Sequence, residues 1–499
     1  MNIAIFSEVP LWTAHHAEAI EIAMQNNNNK NNVHFISCKG ALLGCPANPK
    51  KNPLLCMICR SQTNHTSKKI LQDKNYITAD ILLDKRISID CSFNSIEELQ
   101  NFSYKDSPIG NMVYSTVVTE LNDSFFDIHS EKLRVNELIL NAVRVYEFTY
   151  NYLINNNIQR LYIWNGRRSC DGPSIYAAKN LGIDFSPFIS GGGYNKILIR
   201  ENVNTVHDVP SAIKELNQIK KDLKDINLRD ELIKRGDSFF NIANGQDKNS
   251  EDKKEVNYLG YYQFSSNYVT DESFYTKYQD KKIIAAFTGT YSEFAGVPGY
   301  DTSEDFCSTF YHGIEFLQEP GVIPDDSILV VRWHPNSRNI QGSERKRLNA
   351  IINDAPKNII HIPPESNFSS YSLIDNSVKV IGFGSSISVE SCLRGKPVMF
   401  VGRNMFQDLN CFDIPQSFDD IKVFINTDRN KIGSYDDALA WGVYFSSFGN
   451  SSFKFLDQKE PKEFFLNNKS IRSPLLRILR KIKNSLKLKT IINLHKNST

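Results

Sequence analysis

A short polar stretch after a buried run carries the sharpest chemistry in this chain. In VIGFGSSISVESCLRGKP, Gly384, Ser385 and Ser386 stand between a predicted strand and the start of a predicted helix. Small residues let backbone N–H groups approach an anion, the helix dipole adds a positive end, and the hydroxyls add donors. Glu390, on the first turns of that helix, could hold ribose hydroxyls. A plain N-cap needs only one serine, so the Gly-Ser-Ser arrangement favours phosphate binding.

A histidine at the end of another buried run could bind the same anion. In SILVVRWHP, His334 stands just beyond a predicted strand, and Pro335 fixes the backbone there. An imidazole at that edge can donate to a phosphate oxygen and stabilise a departing nucleotide. Alone, this pair would indicate a partly buried loop histidine. Beside a Ser-Ser turn in the same half of the chain, it indicates a pocket for a leaving phosphate.

Four of the nine cysteines lie close together, at Cys38, Cys45, Cys56 and Cys59. The two-residue gap in CMIC lets both thiolates face one ion, and the other pair completes a tetrahedral sulfur shell. Zinc with a structural role is the first choice, and an iron–sulfur cluster uses the same ligands. Four unligated thiols are the alternative.

The hydrophobic pattern supplies elements that would position these groups. MNIAIFS, LWTAHHAEAIEIAMQ and NVHFISC predict a strand, a helix and a strand, the opening of a doubly wound unit. The cysteine loop then leaves the carboxyl end of the second strand. RLYIWNGRRSCDGPSIYAAKNLGIDFSPFI predicts strand, loop, helix and strand. In its loop, Arg167 and Arg168 could clamp a phosphate or carboxylate, or lie solvated on the surface.

A second α/β unit follows a strongly charged stretch at 211–256. Its predicted strands are KKIIAAFT, SILVVR, NIIHI, SVKVIGF and PVMFVG. Because 499 residues are too many for one compact core, we expect two domains. The predicted fold class is α/β, with Rossmann-type domains at 1–265 and 266–469 facing each other across a cleft, and a tail at 470–499.

Composition narrows the functional classes. The chain is 41% hydrophobic and 23% charged, as ordinary globular proteins are, and its net charge of +2 gives no indication of nucleic-acid binding. The N-terminus lacks the features of a signal peptide, and no apolar run approaches the roughly 20 residues of a membrane-spanning helix. We therefore expect a cytoplasmic protein, whose thiols stay reduced.

The tail adds a membrane prediction. From Ser470 onward there are eight Lys or Arg residues and no acid. In PLLRILRKIKNSLKLK the apolar residues share one helical face, and Arg477, Arg480 and Lys481 lie on the other. This is typical of an amphipathic helix on an anionic leaflet, which would make the protein peripherally membrane-associated. A helix packed on its own domain and a disordered tail are the alternatives.

The HP element followed by the Ser-Ser element resembles the nucleotide-binding half of GT-B type glycosyltransferases of bacterial capsule and lipopolysaccharide synthesis. The same pair occurs in bacterial sialyl- and Kdo-transferases that use CMP-sugars, and teichoic-acid glycerophosphotransferases have a similar layout. Five further elements resemble surface-polysaccharide transferases: CKGALLGCPANP with CMIC, NGR at 165–167, HD at 207–208, FTGTYSEF, and SSYSLIDNSVKVIGFGSSISVE. Two positions depart from that pattern, since Lys39 replaces an Asp and Ser190 replaces a frequent acid.

The resemblance implies a role for each candidate residue. The second half would hold a nucleotide-sugar, with Gly384, Ser385 and Ser386 at the phosphate, His334 at the leaving group and Glu390 at the ribose. Arg167 and Glu293 would line the cleft. Inversion at the sugar carbon needs a base, and Asp171 and Glu8 are the candidates, with surface ion pairs as their alternative. A retaining enzyme would need no such base, and we expect no Mg²⁺.

The expected activity is transfer of a sugar from a nucleotide-activated donor, with CMP as a candidate nucleotide, to a growing, lipid-linked bacterial surface polysaccharide. The expected partners are the nucleotide-sugar, the glycan acceptor and the inner-membrane surface, and not nucleic acid. Two alternatives remain open. One is a CDP-polyol phosphotransferase of teichoic-acid-like polymer synthesis, and the other is a non-catalytic glycan-binding subunit.

Overall fold

The computed structural model describes residues 1–27, 30–72, 75–243, 268–300, 306–428, 432–460 and 463–482. Their strands are, in chain order, β1 (Asn2–Ser7), β2 (Asn32–Ser37), β3 (Tyr76–Asp80), β4 (Arg160–Trp164), β5 (Asp184–Ser190), β6 (Lys196–Ile199), β7 (Lys282–Thr288), β8 (Ser327–Arg332), β9 (Ile359–Ile362), β10 (Lys379–Phe383), β11 (Val398–Val401), β12 (Ser451–Ser452), β13 (Leu456–Glu460), β14 (Glu463–Leu466) and β15 (Lys469–Ser470).

The α-helices of the same residues are α1 (Thr13–Asn26), α2 (Pro53–His65), α3 (Ile96–Gln100), α4 (Ile109–Leu121), α5 (Lys132–Asn155), α6 (Gly172–Asn180), α7 (Val209–Asp222), α8 (Arg229–Ala243), α9 (Glu272–Lys277), α10 (Tyr291–Phe294), α11 (Phe310–Leu317), α12 (Gly342–Asn353), α13 (Ser370–Asn376), α14 (Ile387–Leu393), α15 (Phe418–Asn426) and α16 (Tyr435–Ser447). A π-helical turn (Thr66–Ile70) extends α2, a 3₁₀ helix (Pro335–Asn339) follows β8, and a helix over 474–482 ends the described chain. None of these helices is both long and apolar enough to cross a bilayer.

The first sheet has seven strands in the order β12-β6-β5-β4-β1-β2-β3. Strands β1 to β5 are parallel, whereas β6 and β12 are antiparallel additions at one edge. The chain runs from β1 outward to β3 and then returns to β4 on the other side of β1. This places a topological switch point between β1 and β4.

Both faces of the first sheet are covered. Ile3 and Ile5 pack with residues of α1, while Ala4 and Phe6 pack with residues of α5 and α6 on the opposite face. Successive side chains of a strand point to opposite faces, so a strand covered on both sides needs an almost continuous apolar run. The opening strand, helix and strand were predicted correctly from this pattern.

The second sheet has five parallel strands in the order β11-β10-β7-β8-β9. Its switch point lies between β7 and β10. Helices α7 and α8, which precede β7 in the chain, contribute Leu216 and Phe239 to the core on one face of this sheet, beside Trp441 of α16. The predicted domain boundary at 265 lies outside the described residues. The protein thus has the predicted α/β fold with two Rossmann-like halves.

After α16 the chain returns to the first half. Strand β12 pairs with β6, and the small sheet β13-β14-β15 packs Leu456 and Phe464 into the core beside α1. The carboxylate of Glu21, fully buried on α1, accepts hydrogen bonds of 2.6 to 3.2 Å from the backbone N–H groups of three consecutive residues, 454–456. A buried carboxylate is stabilised by such donors, so Glu21 fixes the returning segment.

A reciprocal pair of carboxylates fastens the two halves to each other. Asp123, after α4, accepts from the N–H groups of Ser343 at 2.7 Å and Glu344 at 3.2 Å, in the first turn of α12. Glu344 in turn accepts from the N–H of Ser124 at 2.8 Å. This is the pattern of a capping box, but its two members come from different halves of the protein.

Candidate functional site

A cleft of about 480 Å³ opens at the carboxyl ends of β7, β8 and β10. The loop after β7 contributes Thr288 and Gly289, the loop after β8 contributes His334, and the loop after β10 contributes the 384–386 turn. Because β7 lies between β8 and β10, and neighbouring strands are about 4.8 Å apart, the ends of the two outer strands are roughly 10 Å apart. The cleft therefore includes the switch point of the second sheet, where open α/β sheets bind ligands.

Hydrogen bonds hold these three loops together. The backbone N–H of His334 donates to Thr288 Oγ1 at 3.1 Å, and the N–H of Gly289 donates to the carbonyl of Phe383 at 2.8 Å. A Cβ at position 289 would lie 3.2 Å from that carbonyl oxygen and 3.3 Å from that of Gly384. Glycine at 289 therefore permits the close approach of the loops.

The ring of His334 has a defined tautomer. Its Nδ1 accepts a hydrogen bond of 3.1 Å from the N–H of Asn336 and so caps the 3₁₀ helix. A neutral ring that accepts at Nδ1 carries its proton on Nε2. Burial lowers the pKa of His334, the Glu293 carboxylate opposes this effect, and the charge of Arg332 reinforces it. At neutral pH the ring is thus an uncharged N–H donor.

The turn after β10 provides small residues and hydroxyl groups. Gly384 has a φ of +63°, which glycine adopts without strain. Ser386 stands at the N-cap position of α14, but its side chain makes no capping hydrogen bond to that helix. The Ser386 hydroxyl is therefore not used as the N-cap of α14. Ser385 and Ser386 both line the cleft.

A buried carboxylate lies beside this turn. Glu390, only 3% exposed, lines the cleft and accepts a hydrogen bond from the hydroxyl of Tyr371. Burial raises the pKa of Glu390 to about 7, although the Tyr371 hydrogen bond and the charge of Arg394 oppose the rise. The sequence did not single out Tyr371 as a site residue, because its role depends on the contact between α13 and α14 that brings its hydroxyl to Glu390.

The first half contributes the opposite wall of the cleft through Arg167 and His207. Arg167 Nη1 donates to the carbonyl of Glu293 at 2.8 Å, and Glu293 itself accepts from Asn336 Nδ2. Burial and the neighbouring charge of Arg168 lower the pKa of Arg167 to about 10. Burial, followed by the charges of nearby arginines, lowers the pKa of His207 to about 3. Burial is the main cause of both shifts, and the arginine charges that add to them place positive charge at this wall, as an anion site requires.

No family model matches this chain, and no curated protein matches it. Among solved structures, the beta Kdo 2,4 transferase of Thermosulfurimonas dismutans KpsC aligns with a TM-score of 0.37 and 11% identity, over 57% of this chain and 80% of that one. The beta Kdo 2,7 transferase of the same KpsC gives 0.32 and 14%, over 60% and 80%. The UDP-GlcNAc 2-epimerase of Neisseria meningitidis gives 0.26 and 10%, over 90% and 97%.

The two candidate bases lie at the switch point of the first sheet. Glu8 follows β1, Asp171 follows β4, and these strands are neighbours. Both are buried, at 2% and 0% exposed, and neither is among the residues that line the cleft. Burial raises the pKa of Asp171 to about 6. Burial also raises the pKa of Glu8, and the charge of Asp171 adds to this shift.

A histidine and a carboxylate missed by sequence reasoning lie at the same edge. The hydroxyl of Ser190 donates to Glu18, which is 1% exposed, and His15 Nδ1 lies 3.4 Å from the same carboxylate. Glu18 therefore places a buried acidic group against Ser190, at the carboxyl end of β5. Only the packing of α1 on β5 brings Glu18 there, so no local signal could reveal it. The other departure, Lys39, pairs with Asp80 at 2.8 Å.

The clustered cysteines converge, but they do not enclose a site. Cys38 follows β2, Cys45 lies in the loop, and Cys56 and Cys59 lie on α2. Burial, followed by the neighbouring Cys38, Cys45 and Cys56, raises the pKa of the Cys59 thiol. Within the described ranges, no three His, Cys, Asp or Glu side chains are arranged to hold a metal ion. The four thiols suit zinc as a donor set, and the zinc site stays a prediction.

Proposed function

We propose that this protein is a glycosyltransferase that binds a nucleotide-activated sugar in the cleft and transfers the sugar to the acceptor glycan of a bacterial surface polysaccharide. One observation carries the proposal. An imidazole N–H donor, a Gly-Ser-Ser turn and a buried carboxylate from two strand ends line one cleft at the switch point of a parallel sheet. This set matches the leaving group, phosphate and ribose of such a donor.

The donor would lie along the second half. Ser385 and Ser386 would bind phosphate oxygens, and Glu390 would accept from ribose hydroxyls. Tyr268 and Phe445, both partly exposed, line the same cleft and would offer aromatic surface to the nucleobase. A volume of about 480 Å³ lies within the usual range for small-molecule sites.

Transfer would break the bond between the sugar carbon and the phosphate oxygen as an acceptor hydroxyl attacks that carbon. Negative charge then grows on the departing phosphate, where the Nε2–H of His334 and the guanidinium of Arg167 would stabilise it. The acceptor proton must pass to a base. Asp171 and Glu8 stay predictions for this role, since both are buried and neither lines the cleft. Both occupy the half that would hold the acceptor.

For the donor we propose a CMP-linked sugar, and for the acceptor a lipid-linked glycan at the membrane surface. The order of the HP and Ser-Ser elements supports the nucleotide. The basic end of the chain supports the membrane, because a protein that modifies a lipid-linked chain must work at the leaflet.

A nucleotide panel tests the proposal. Thermal unfolding of the full chain is measured with CMP, CDP, UDP and GDP, since a ligand that binds only the folded state raises Tm. We expect one of the four to raise Tm, and we expect the Ser385→Ala/Ser386→Ala variant to lose that rise. Ser452→Ala, an exposed serine on β12, is the matched control.

Two outcomes would replace the proposal. Nucleotide release with a CDP-polyol, and not with any nucleotide-sugar, would make the protein a polyol phosphotransferase. No binding of any nucleotide, together with polysaccharide synthesis by cells carrying His334→Ala, would make it a glycan-binding subunit.

A further inference from the structure

A second cavity, of about 930 Å³, lies against the first half and shares no lining residue with the cleft. Its walls are the end of α2 with the π-helical turn, the β14–β15 hairpin, and the helix over 474–482. We call it the basic groove. It contains none of the residues assigned above to nucleotide binding.

The charge of the basic groove is strongly unbalanced. Six Lys or Arg side chains line it, and the carboxylate of Glu463 is the one acidic group among its described residues. Arg472 and Arg480 face that carboxylate at 3.3 and 2.8 Å. The other four have no carboxylate within 4.0 Å among the described residues: Lys69, Lys469, Arg477 and Lys481.

The excess of positive charge in the groove also affects the pKa of a neighbouring histidine. His65 also lines the basic groove, and burial lowers its pKa, with the charges of Arg477 and Lys69 adding to the effect. The charges of Lys69, on the π-helical turn, and Arg477, on the helix over 474–482, therefore both act on the imidazole of His65. Such a concave positive surface suits an anion with several oxygens, and phosphate has that chemistry.

The helix over 474–482 also presents an apolar surface. Arg477, Arg480 and Lys481 line the groove, whereas Ile478 and Ile482, one turn apart, are 55% and 50% exposed. Leu479 beside them is 36% exposed. Apolar side chains exposed next to a groove lined by cations fit a molecule with an anionic head and an apolar body.

We propose that the basic groove binds the phosphate groups of anionic glycerophospholipids, and that this contact seats the 474–482 helix on the membrane leaflet. Exposed Ile478, Leu479 and Ile482 enter the headgroup region while the cations hold the phosphates. The membrane is the one invoked in the proposed function, but the groove is a separate site. Lipid binding and nucleotide binding can therefore fail independently.

Vesicle co-sedimentation of the full chain tests the proposal. The probes are phosphatidylcholine vesicles with and without phosphatidylglycerol, at low and high salt. We expect binding to the anionic vesicles only, and weaker binding at high salt. Arg477→Glu/Lys481→Glu should lower the partition coefficient at least about tenfold, because each cation near an anionic surface contributes measurably to binding.

The controls match charge and exposure elsewhere. Lys132→Glu/Lys357→Glu reverses two exposed lysines outside the groove, and Leu133→Ser, at 87% exposure, matches Ile478→Ser. We expect full binding by both controls and reduced binding by Ile478→Ser. All variants should keep the nucleotide-induced rise in Tm, which shows that they fold and that the cleft is unaffected.

Three results would overturn the assignment. The first is equal binding to neutral and anionic vesicles. The second is full binding by Arg477→Glu/Lys481→Glu. The third is displacement from anionic vesicles by soluble glycerophosphoglycerol at matched phosphate concentration, since the groove would then take a free phosphate compound and not a lipid surface.

Discussion

At the scale of single residues, the chemistry depends on how each polar atom is already used. His334 gives Nδ1 to the backbone of Asn336, so only Nε2 can serve a ligand. Glu390 shares its buried carboxylate with Tyr371. These hydrogen bonds within the protein stabilise the fold, whereas the remaining polar atoms would contact a substrate. Substitutions can test the two roles separately.

Replacing His334 by asparagine separates capping from catalysis. An Asn side chain can accept from the N–H two residues later and keep the cap, whereas alanine cannot. We expect His334→Asn to unfold within about 1 kcal/mol of the wild type and His334→Ala to lose roughly 1 kcal/mol more. Both should lose roughly 100-fold or more in transfer rate, because neither has the imidazole N–H.

Urea unfolding and nucleotide release from the donor measure these two quantities. Transfer at the wild-type rate by His334→Asn would contradict the role assigned to the ring.

The raised pKa of Glu390 predicts a pH-dependent stability. The folded state holds this proton up to about pH 7, while the unfolded chain releases it near 4.5. The unfolded state therefore binds fewer protons between these values, and the stabilisation present below pH 4.5 is lost as pH rises to 7. Relative to Glu390→Gln, the wild type should lose on the order of 3 kcal/mol across this window.

Denaturant unfolding of both proteins at a series of pH values measures the difference. Parallel curves from pH 4.5 to 7 would mean that Glu390 ionises in the folded protein as it does in solution. Glu319→Gln, which replaces an exposed carboxylate outside the cleft, is the control.

At the scale of elements, the strands were largely predictable and their partners were not. Runs such as NIAIFS and SILVVR have a continuous apolar centre of four residues because both sheet faces are covered, and that pattern is local. The β13-β14-β15 sheet was not predicted. Its position depends on Glu21, whose carboxylate meets the backbone of residues more than 400 positions away. No window of neighbouring residues contains that information.

At this scale, the cysteine cluster predicts a zinc site between α2 and the segment that precedes it. Cys56 and Cys59 lie three residues apart on α2, so their thiols share one face of that helix, and Cys38 and Cys45 lie close enough to act on the pKa of Cys59. We expect one zinc ion per chain in protein prepared without chelator, and loss of that zinc in Cys56→Ser/Cys59→Ser. Cys91→Ser, outside the cluster, is the control, and atomic emission is the measurement.

A brown protein with visible absorbance after anaerobic preparation would instead identify an iron–sulfur cluster. Metal-free protein of unchanged stability would leave the four thiols unligated.

At the scale of the whole molecule, the candidate site is a product of both halves. The second-half residues could be predicted as a set, because carboxyl ends of parallel strands share one edge. The arrival of Arg167 and His207 on the other wall required the packing of one half on the other. Sequence reasoning named Arg167 but could not distinguish a cleft arginine from a surface one.

The shared capping box predicts how the halves are coupled. Asp123→Ala removes the acceptor for the N–H groups of Ser343 and Glu344, and we expect a loss of about 1–2 kcal/mol in unfolding free energy. It should also weaken donor binding, because the cleft walls would no longer be held in register. Asp127→Ala, which removes a local and exposed cap, is the matched control. Calorimetric titration with the nucleotide and urea unfolding measure both effects, and a variant indistinguishable from wild type in both would contradict the coupling.

The exchange of segments between the halves makes them topologically interlaced. Residues 209–243 pack in the core of the second half, and residues 451–471 pack in the core of the first half. Each half therefore includes a segment from the other part of the sequence. A nick engineered within 244–267 would yield two polypeptides that cannot drift apart without melting both cores. The two fragments should migrate as a single complex in native electrophoresis. When they are expressed from separate genes, the two polypeptides should associate into an intact protein.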